Sequence, residues 1–153
     1  MKRFLIAVFV LASMVLMAGE ERSPEWNKVR KAHLKKHPAC ALCGSKKDVQ
    51  VHHIKPFHLH PELELEPSNL ITSCTSKYWG FSCHVKVFHG GNFQYENPNV
   101  LEDIKNIQEI VRSTKNCFTD DICMENLDKE LKAINKRTKK YNCETYGKCS
   151  KGK

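Results

Sequence analysis

Two adjoining histidines, His52 and His53, close the alternating stretch Val49-Gln50-Val51-His52-His53-Ile54. Alternation with a period of two reads as a strand, and neighbours on a strand point to opposite faces. A metal on the His52 face would therefore leave His53 on the other, and a turn at Ile54-Lys55-Pro56 can carry that second ring to where a water would attack. One imidazole would hold a Lewis acid. The other, with an unperturbed pKa near ~6.5, suits general-base work close to neutral pH. Asn69 stands where a second strand opens, Leu70 to Cys74, and His84 and His89 bracket a short helical stretch whose apolar stripe is Val85 and Phe88. A spacing of five is irregular for one helix face, which puts His89 just past the helix end. His58 and His60, in the loop beside Pro61, read as exposed, and His33 and His37 as surface or packing residues of the first helix.

These residues need scaffolding. Ser23-Pro24-Glu25-Trp26 supplies an N-cap, a proline at the first helical position and a first-turn acid, so a helix is expected from there to about Lys36. Trp26, Val29, Ala32, His33 and Leu34 form its buried side, and Lys28, Arg30, Lys31, Lys35 and Lys36 surround the other. Cys40-Ala41-Leu42-Cys43-Gly44 reads as a tight turn presenting two sulfurs. Residues 55–68 hold three prolines and no helical cap, so they form a long loop. Beyond Asn99, Val100, Ile104, Ile107 and Val111 recur at helical spacing, and Ile122, Leu127, Leu131 and Ile134 follow Thr119-Asp120. Two helices joined by a cysteine-containing turn result, the second from Asp121 to Tyr141.

The set His52-His53-Ile54-Lys55-Pro56, Asn69-Leu70, Cys83-His84 and His89-Gly90-Gly91-Asn92 resembles the HNH endonuclease family, in particular phage and bacterial members with a long proline-containing loop. The stretch Tyr95-Glu96-Asn97-Pro98-Asn99-Val100 is one residue longer than the family's version. The resemblance covers about Pro24 to Val100 and implies an α+β fold: a ββα-metal core with an N-terminal helix and a C-terminal two-helix extension. The boundaries are then residues 22–100 for the nuclease domain and 101–153 for a helical, basic, cysteine-containing extension. It implies His53 as general base, Asn69 as the residue holding the loop that bears it, and His52, His84 and His89 as ligands of one divalent ion (Mg, Mn, Ni or Zn), with Asn92 or a water as alternatives to His89. No small-molecule cofactor is implied. The expected products are a 5'-phosphate and a 3'-hydroxyl.

Cys40 and Cys43 are spaced as half of a four-sulfur zinc site that Cys74 and Cys83 complete if the residues between them loop out. Such a site is closed and structural. Two disulfides are the rival; the resemblance favours zinc and an oxidising compartment favours disulfides. For the remaining four, a helix over 121–141 separates Cys123 from Cys143 by roughly 30 Å, which excludes that bond. The local pairs Cys117 with Cys123 and Cys143 with Cys149 are expected.

The chain has 153 residues, 41% hydrophobic and 27% charged, which excludes disordered, collagenous and polytopic classes. Met1-Lys2-Arg3, the apolar run Phe4 to Ala18 and the following Gly19-Glu20 read as a secretory signal over residues 1–18, with an uncleaved membrane anchor as the alternative. Its removal takes Lys2 and Arg3 and no acid, so the charge falls only from +8 to +6. From Lys129 to Lys153 the charge is +7. That charge suits a polyanion partner, or serves solubility alone; the resemblance implies nucleic acid, DNA ahead of RNA, bound without sequence preference. Tyr78, Trp79 and Phe81 either stack on an unpaired base or close a small core around the cysteines. The expected function is an exported, metal-dependent endonuclease. The alternatives are a secreted zinc- or disulfide-stapled nucleic-acid-binding module without catalysis, and a catalytically silent interaction protein anchored by its first segment.

Overall fold

The structure, a computed structural model, describes residues 21–77 and 79–149. The expected signal over residues 1–18, Tyr78 and the last four residues lie outside them. In chain order come α1 (Trp26–Lys36), β1 (Val49–His53), β2 (Leu70–Cys74), a π-helical turn (His84–Phe88), α2 (Val100–Arg112) and α3 (Asp121–Tyr146). The class is α+β, a ββα core carrying a C-terminal helical extension. The strands pair antiparallel, with His53 opposite Leu70 and Val49 opposite Cys74. No helix among the described residues is long and apolar enough to cross a membrane.

A two-stranded sheet is marginal alone and needs packing on its faces. The cysteine turn supplies one anchor: Ala41 N–H donates to Thr72 O at 2.8 Å, and Gln108 of α2 donates to the carbonyls of Ala41 and Leu42 at 2.9 and 3.0 Å. The core runs from that turn through Trp79, Val87 and Phe88 to Val100, Ile104 and Ile107 of α2 and Leu127 and Ile134 of α3. Trp79 therefore closes the core rather than offering a stacking surface.

Several local expectations shift. A turn at Pro24-Glu25 precedes α1, with Ser23 Oγ accepting from Glu25 N–H at 3.2 Å, so the helix starts at Trp26. Ala32 is exposed and no residue of α1 is fully buried. The loop over 55–68 contains two single turns of 3-10 helix, Pro61–Leu63 and Pro67–Asn69, each opened by its proline. In α3, Ile122 is 74% exposed, and the buried position in that turn goes to Cys123. That helix runs past Tyr141 to Tyr146 and ends at Gly147, whose φ of 65° lets the N–H groups of Gly147 and Lys148 satisfy the carbonyls of Cys143 and Asn142, both at 3.1 Å. Disulfides join Cys117 to Cys123 and Cys143 to Cys149, the local pairs expected.

Candidate catalytic and metal centres

The five-residue gap between His84 and His89 is resolved by the winding. Where the turn is π-helical, His89 N–H reaches His84 O at 3.1 Å, so residues five apart share a face. Their Nε2 atoms approach to 3.2 Å. His52, on β1, completes the group: its ring centroid lies 5.3 Å from that of His84 and 4.6 Å from that of His89. One nitrogen from each of the three lies within 4.8 Å of the others.

The chemistry of this donor set fits a cation. Imidazole nitrogens at roughly 2.0–2.1 Å from a tetrahedral ion stand about 3.4 Å from each other, close to the 3.2 Å seen between His84 and His89. The Tyr95 carbonyl accepts a hydrogen bond from His89 Nδ1 at 3.0 Å, which fixes the proton there and leaves Nε2 its lone pair. His84 Nδ1 is buried without a partner. Burial pushes His52 well below the ordinary histidine range, with the neighbouring imidazoles adding to it; it also brings His84 down to about 4 and lowers His89. Each shift favours the neutral ring, the form whose lone pair a cation takes.

His53 points the opposite way from His52, against the Trp26 ring at a centroid distance of 4.6 Å. Its Nε2 donates to the Glu64 carbonyl at 2.9 Å, so in the neutral ring Nδ1 holds the free lone pair. Burial lowers its pKa, and that carbonyl works against the shift. Asn69 ties both ends of the intervening loop. Its Oδ1 accepts from Lys55 N–H at 2.8 Å, and its Nδ2 donates to Lys55 O and Leu63 O, each at 3.1 Å. His52, His53, His84 and His89 line one cavity of about 340 Å³, with Arg22, Phe57 and Phe93 on its walls.

Those last three residues were not singled out from sequence, and neither was Glu64. Its buried carboxylate accepts from Ser23 N–H at 2.8 Å and from Arg22 at 3.3 Å, while the Arg22 guanidinium lies over both Trp26 and Phe57. The only available signal was an arginine just before the first helix. Asn92 stays outside the cluster, its Oδ1 accepting from Gln94 N–H at 3.0 Å in a surface turn. His60 is not simply exposed: it donates to the buried Glu96 carboxylate at 3.1 Å, which also accepts from Tyr146 OH at 2.6 Å. His58 is exposed and lies 3.1 Å from Lys148 Nζ. His33 is half-buried and His37 exposed.

The other cluster joins Cys40, Cys43, Cys74 and Cys83, all free, with sulfurs within 4.8 Å of one another and Cys43 and Cys74 at 3.5 Å. Four sulfurs about 2.3 Å from a tetrahedral zinc would stand about 3.8 Å apart, so this set fits such an ion. A hydrogen bond from the Cys83 thiol brings Cys40 down to about 5, while burial drives Cys43 up to about 12. The cluster thus favours the thiolate at Cys40 and disfavours it at Cys43 and Cys83, where a bound cation would offset the cost of burial.

The extension holds the backbone beside the first cluster. Asn142 of α3, fully buried, accepts from Glu96 N–H at 2.9 Å and donates to Glu96 O at 2.7 Å, one residue past Tyr95. Asn135 donates to Gly90 O at 2.7 Å. Asn97 donates to Val87 O and to Asp103 Oδ2, each at 2.8 Å, and Asp103 pairs with Arg137 of α3.

Residues 40–87 match the family model described as HNH endonuclease. No curated protein matches the chain, and no solved structure does. The matched segment contains both strands, the four-cysteine cluster, His52, His53, Asn69 and His84; His89, α2 and α3 lie beyond it.

Proposed function

We propose, with the HNH endonuclease domain at residues 40–87 as the premise, that the chain hydrolyses phosphodiester bonds of nucleic acid, DNA ahead of RNA, using one divalent ion and His53 as base. The observation that carries this reading is the convergence of three imidazoles on one point, beside a fourth ring that lines the same cavity from the opposite face of the strand. His52, His84 and His89 would hold the ion. When bound, a divalent ion such as Mg, Mn, Ni or Zn supplies charge stabilisation at a phosphate oxygen. The protein's own groups do the rest. Glu64 O keeps the His53 proton on Nε2, so Nδ1 takes the proton of the attacking water. Asn69 holds the loop whose carbonyl sets that tautomer. Arg22, lying over two aromatic rings, offers a cation to the phosphate at the cavity wall.

The four cysteines would hold a structural zinc that stabilises a small sheet. The two disulfides and the apolar first segment support export, with membrane tethering as the alternative.

The test is plasmid nicking with Mg, Mn, Ni and Zn, comparing parent and His53→Ala, together with elemental analysis and thiol counting. The expected result is nicking that drops about 10²- to 10⁴-fold in the variant at unchanged metal content, with one zinc and four titratable thiols per chain. Equal nicking by both proteins refutes the assigned base. Retention of DNA without cleavage by either supports the non-catalytic binding module, and recovery only with detergent-extracted membranes supports the anchored alternative.

A further inference from the structure

Phe93 is 57% exposed and lies on the wall of the histidine cavity. The other large apolar side chains exposed among the described residues, Leu101, Phe118, Ile122 and Met124, lie elsewhere. Its ring centroid stands 5.5 Å from that of His84 and 5.4 Å from that of His89, with the planes steeply inclined. Despite those contacts more than half of the residue stays exposed. The turn that presents it is well tied. Asn92 accepts from Gln94 N–H at 3.0 Å and from Tyr95 N–H at 2.9 Å, Lys148 donates to Gln94 O at 3.1 Å, and Asn135 holds Gly90 O at 2.7 Å. The backbone that carries the ring is therefore held in place, with the ring itself against His84 and His89. The same cavity also carries the Arg22 guanidinium, lying over Phe57. Imidazoles, a cation and a bare aromatic ring thus share one cleft.

A phosphodiester placed at the imidazoles has a base only one sugar away, and aromatic rings bind bases by stacking whatever their identity. Within a duplex both faces of that base are already covered by its neighbours. Only an unpaired base has a face free for Phe93. Resting on the nuclease reading above, we propose that Phe93 is a stacking platform for the base flanking the scissile phosphate. The preferred substrate class is accordingly single-stranded or unpaired nucleic acid.

The experiment has two arms, both on the full chain. Fluorescence anisotropy without added divalent ion measures binding of a labelled single-stranded oligonucleotide, and of the same strand made abasic, to the parent, Phe93→Ala and Phe93→Trp. Cleavage of single strand and duplex by the same proteins is followed with Mn. Expected are an affinity loss of about 5- to 100-fold for Phe93→Ala on the normal strand, recovery in Phe93→Trp, and no further loss for Phe93→Ala on the abasic strand. The parent should cut single strand at least tenfold faster than duplex, with the advantage collapsing in Phe93→Ala through KM. Equal losses on normal and abasic strands would overturn the proposal, because the ring would then act by packing on His84 and His89. So would a parent that prefers duplex. A parent that cleaves nothing but binds single strand in a Phe93-dependent way sinks the catalytic reading and leaves the stacking platform standing.

Discussion

Replacing Asn142 by alanine tests whether the C-terminal helix supports the candidate metal centre. The side chain satisfies both backbone groups of Glu96, at 2.9 and 2.7 Å, in a fully buried position. Alanine would strand a buried N–H and a buried C=O, each costing about 1–3 kcal/mol. Allowing for relaxation, the loss is about 4 kcal/mol, a large share of the roughly 5–15 kcal/mol that holds a domain together. For a chain of this size the melting temperature should fall by about 15 °C. The effect should also reach the imidazoles. Tyr95 O, which fixes the His89 tautomer at 3.0 Å, is one residue from the released segment. Loss of such an outer partner typically weakens metal binding about 10- to 100-fold. Thermal melting by circular dichroism and a competitive Ni titration read the two effects separately. Asn142→Asp keeps the acceptor but turns a buried carboxylate toward the carbonyls of Glu96 and Thr138, so it should melt no later than Asn142→Ala. A variant that melts within about 2 °C of the parent would refute the hydrogen-bond argument. One that melts early but binds Ni as tightly would refute the coupling to His89.

Two further outcomes follow from the same packing. In Gly90→Ala the new methyl would sit 2.4 to 2.6 Å from three atoms of Thr138, at a φ of +57°. It should cost about 3 kcal/mol in urea unfolding. Gly44→Ala, where a Cβ meets nothing within 4 Å and only the φ of +73° matters, should cost about 1 kcal/mol; equal losses would show that the Thr138 contact is unimportant. The double variant Cys117→Ser, Cys123→Ser opens a loop with a sequence separation of 6. It should lose about 2 kcal/mol by the chain-entropy account, with the midpoint of urea unfolding as the measurement, and an unchanged midpoint would mean that bond is not formed in solution.

The strands were legible because their pattern is local. Val49, Val51 and Ile71 mark period-two stretches, and Leu70–Cys74 forms with the expected bounds. The histidines were legible as an ordered set, but not the geometry that joins them. An α-helical reading makes a spacing of five awkward, and only a π-helical turn brings His84 and His89 together. Contacts between segments far apart in sequence left no trace in the pattern. Arg22 meets Glu64 across 42 positions, and His60 meets Glu96 and Tyr146 across 36 and 86. Phe93 looked like any loop aromatic, since exposure beside a cavity is not written in a spacing. The expected end of α3 at Tyr141 falls short of Tyr146, and the helix continues through Asn142, whose side chain is spent on Glu96.

Eight cysteines in two oxidation states impose an order on biogenesis. Cys43 and Cys74 have their sulfurs 3.5 Å apart and unjoined, while two other pairs are joined. Thiols that close are the first to couple when an oxidant arrives, unless a cation already occupies them. If the four-cysteine cluster takes an ion, loading it before oxidation of the helical pairs should raise the yield of chains with four free thiols, and oxidation first should lower it.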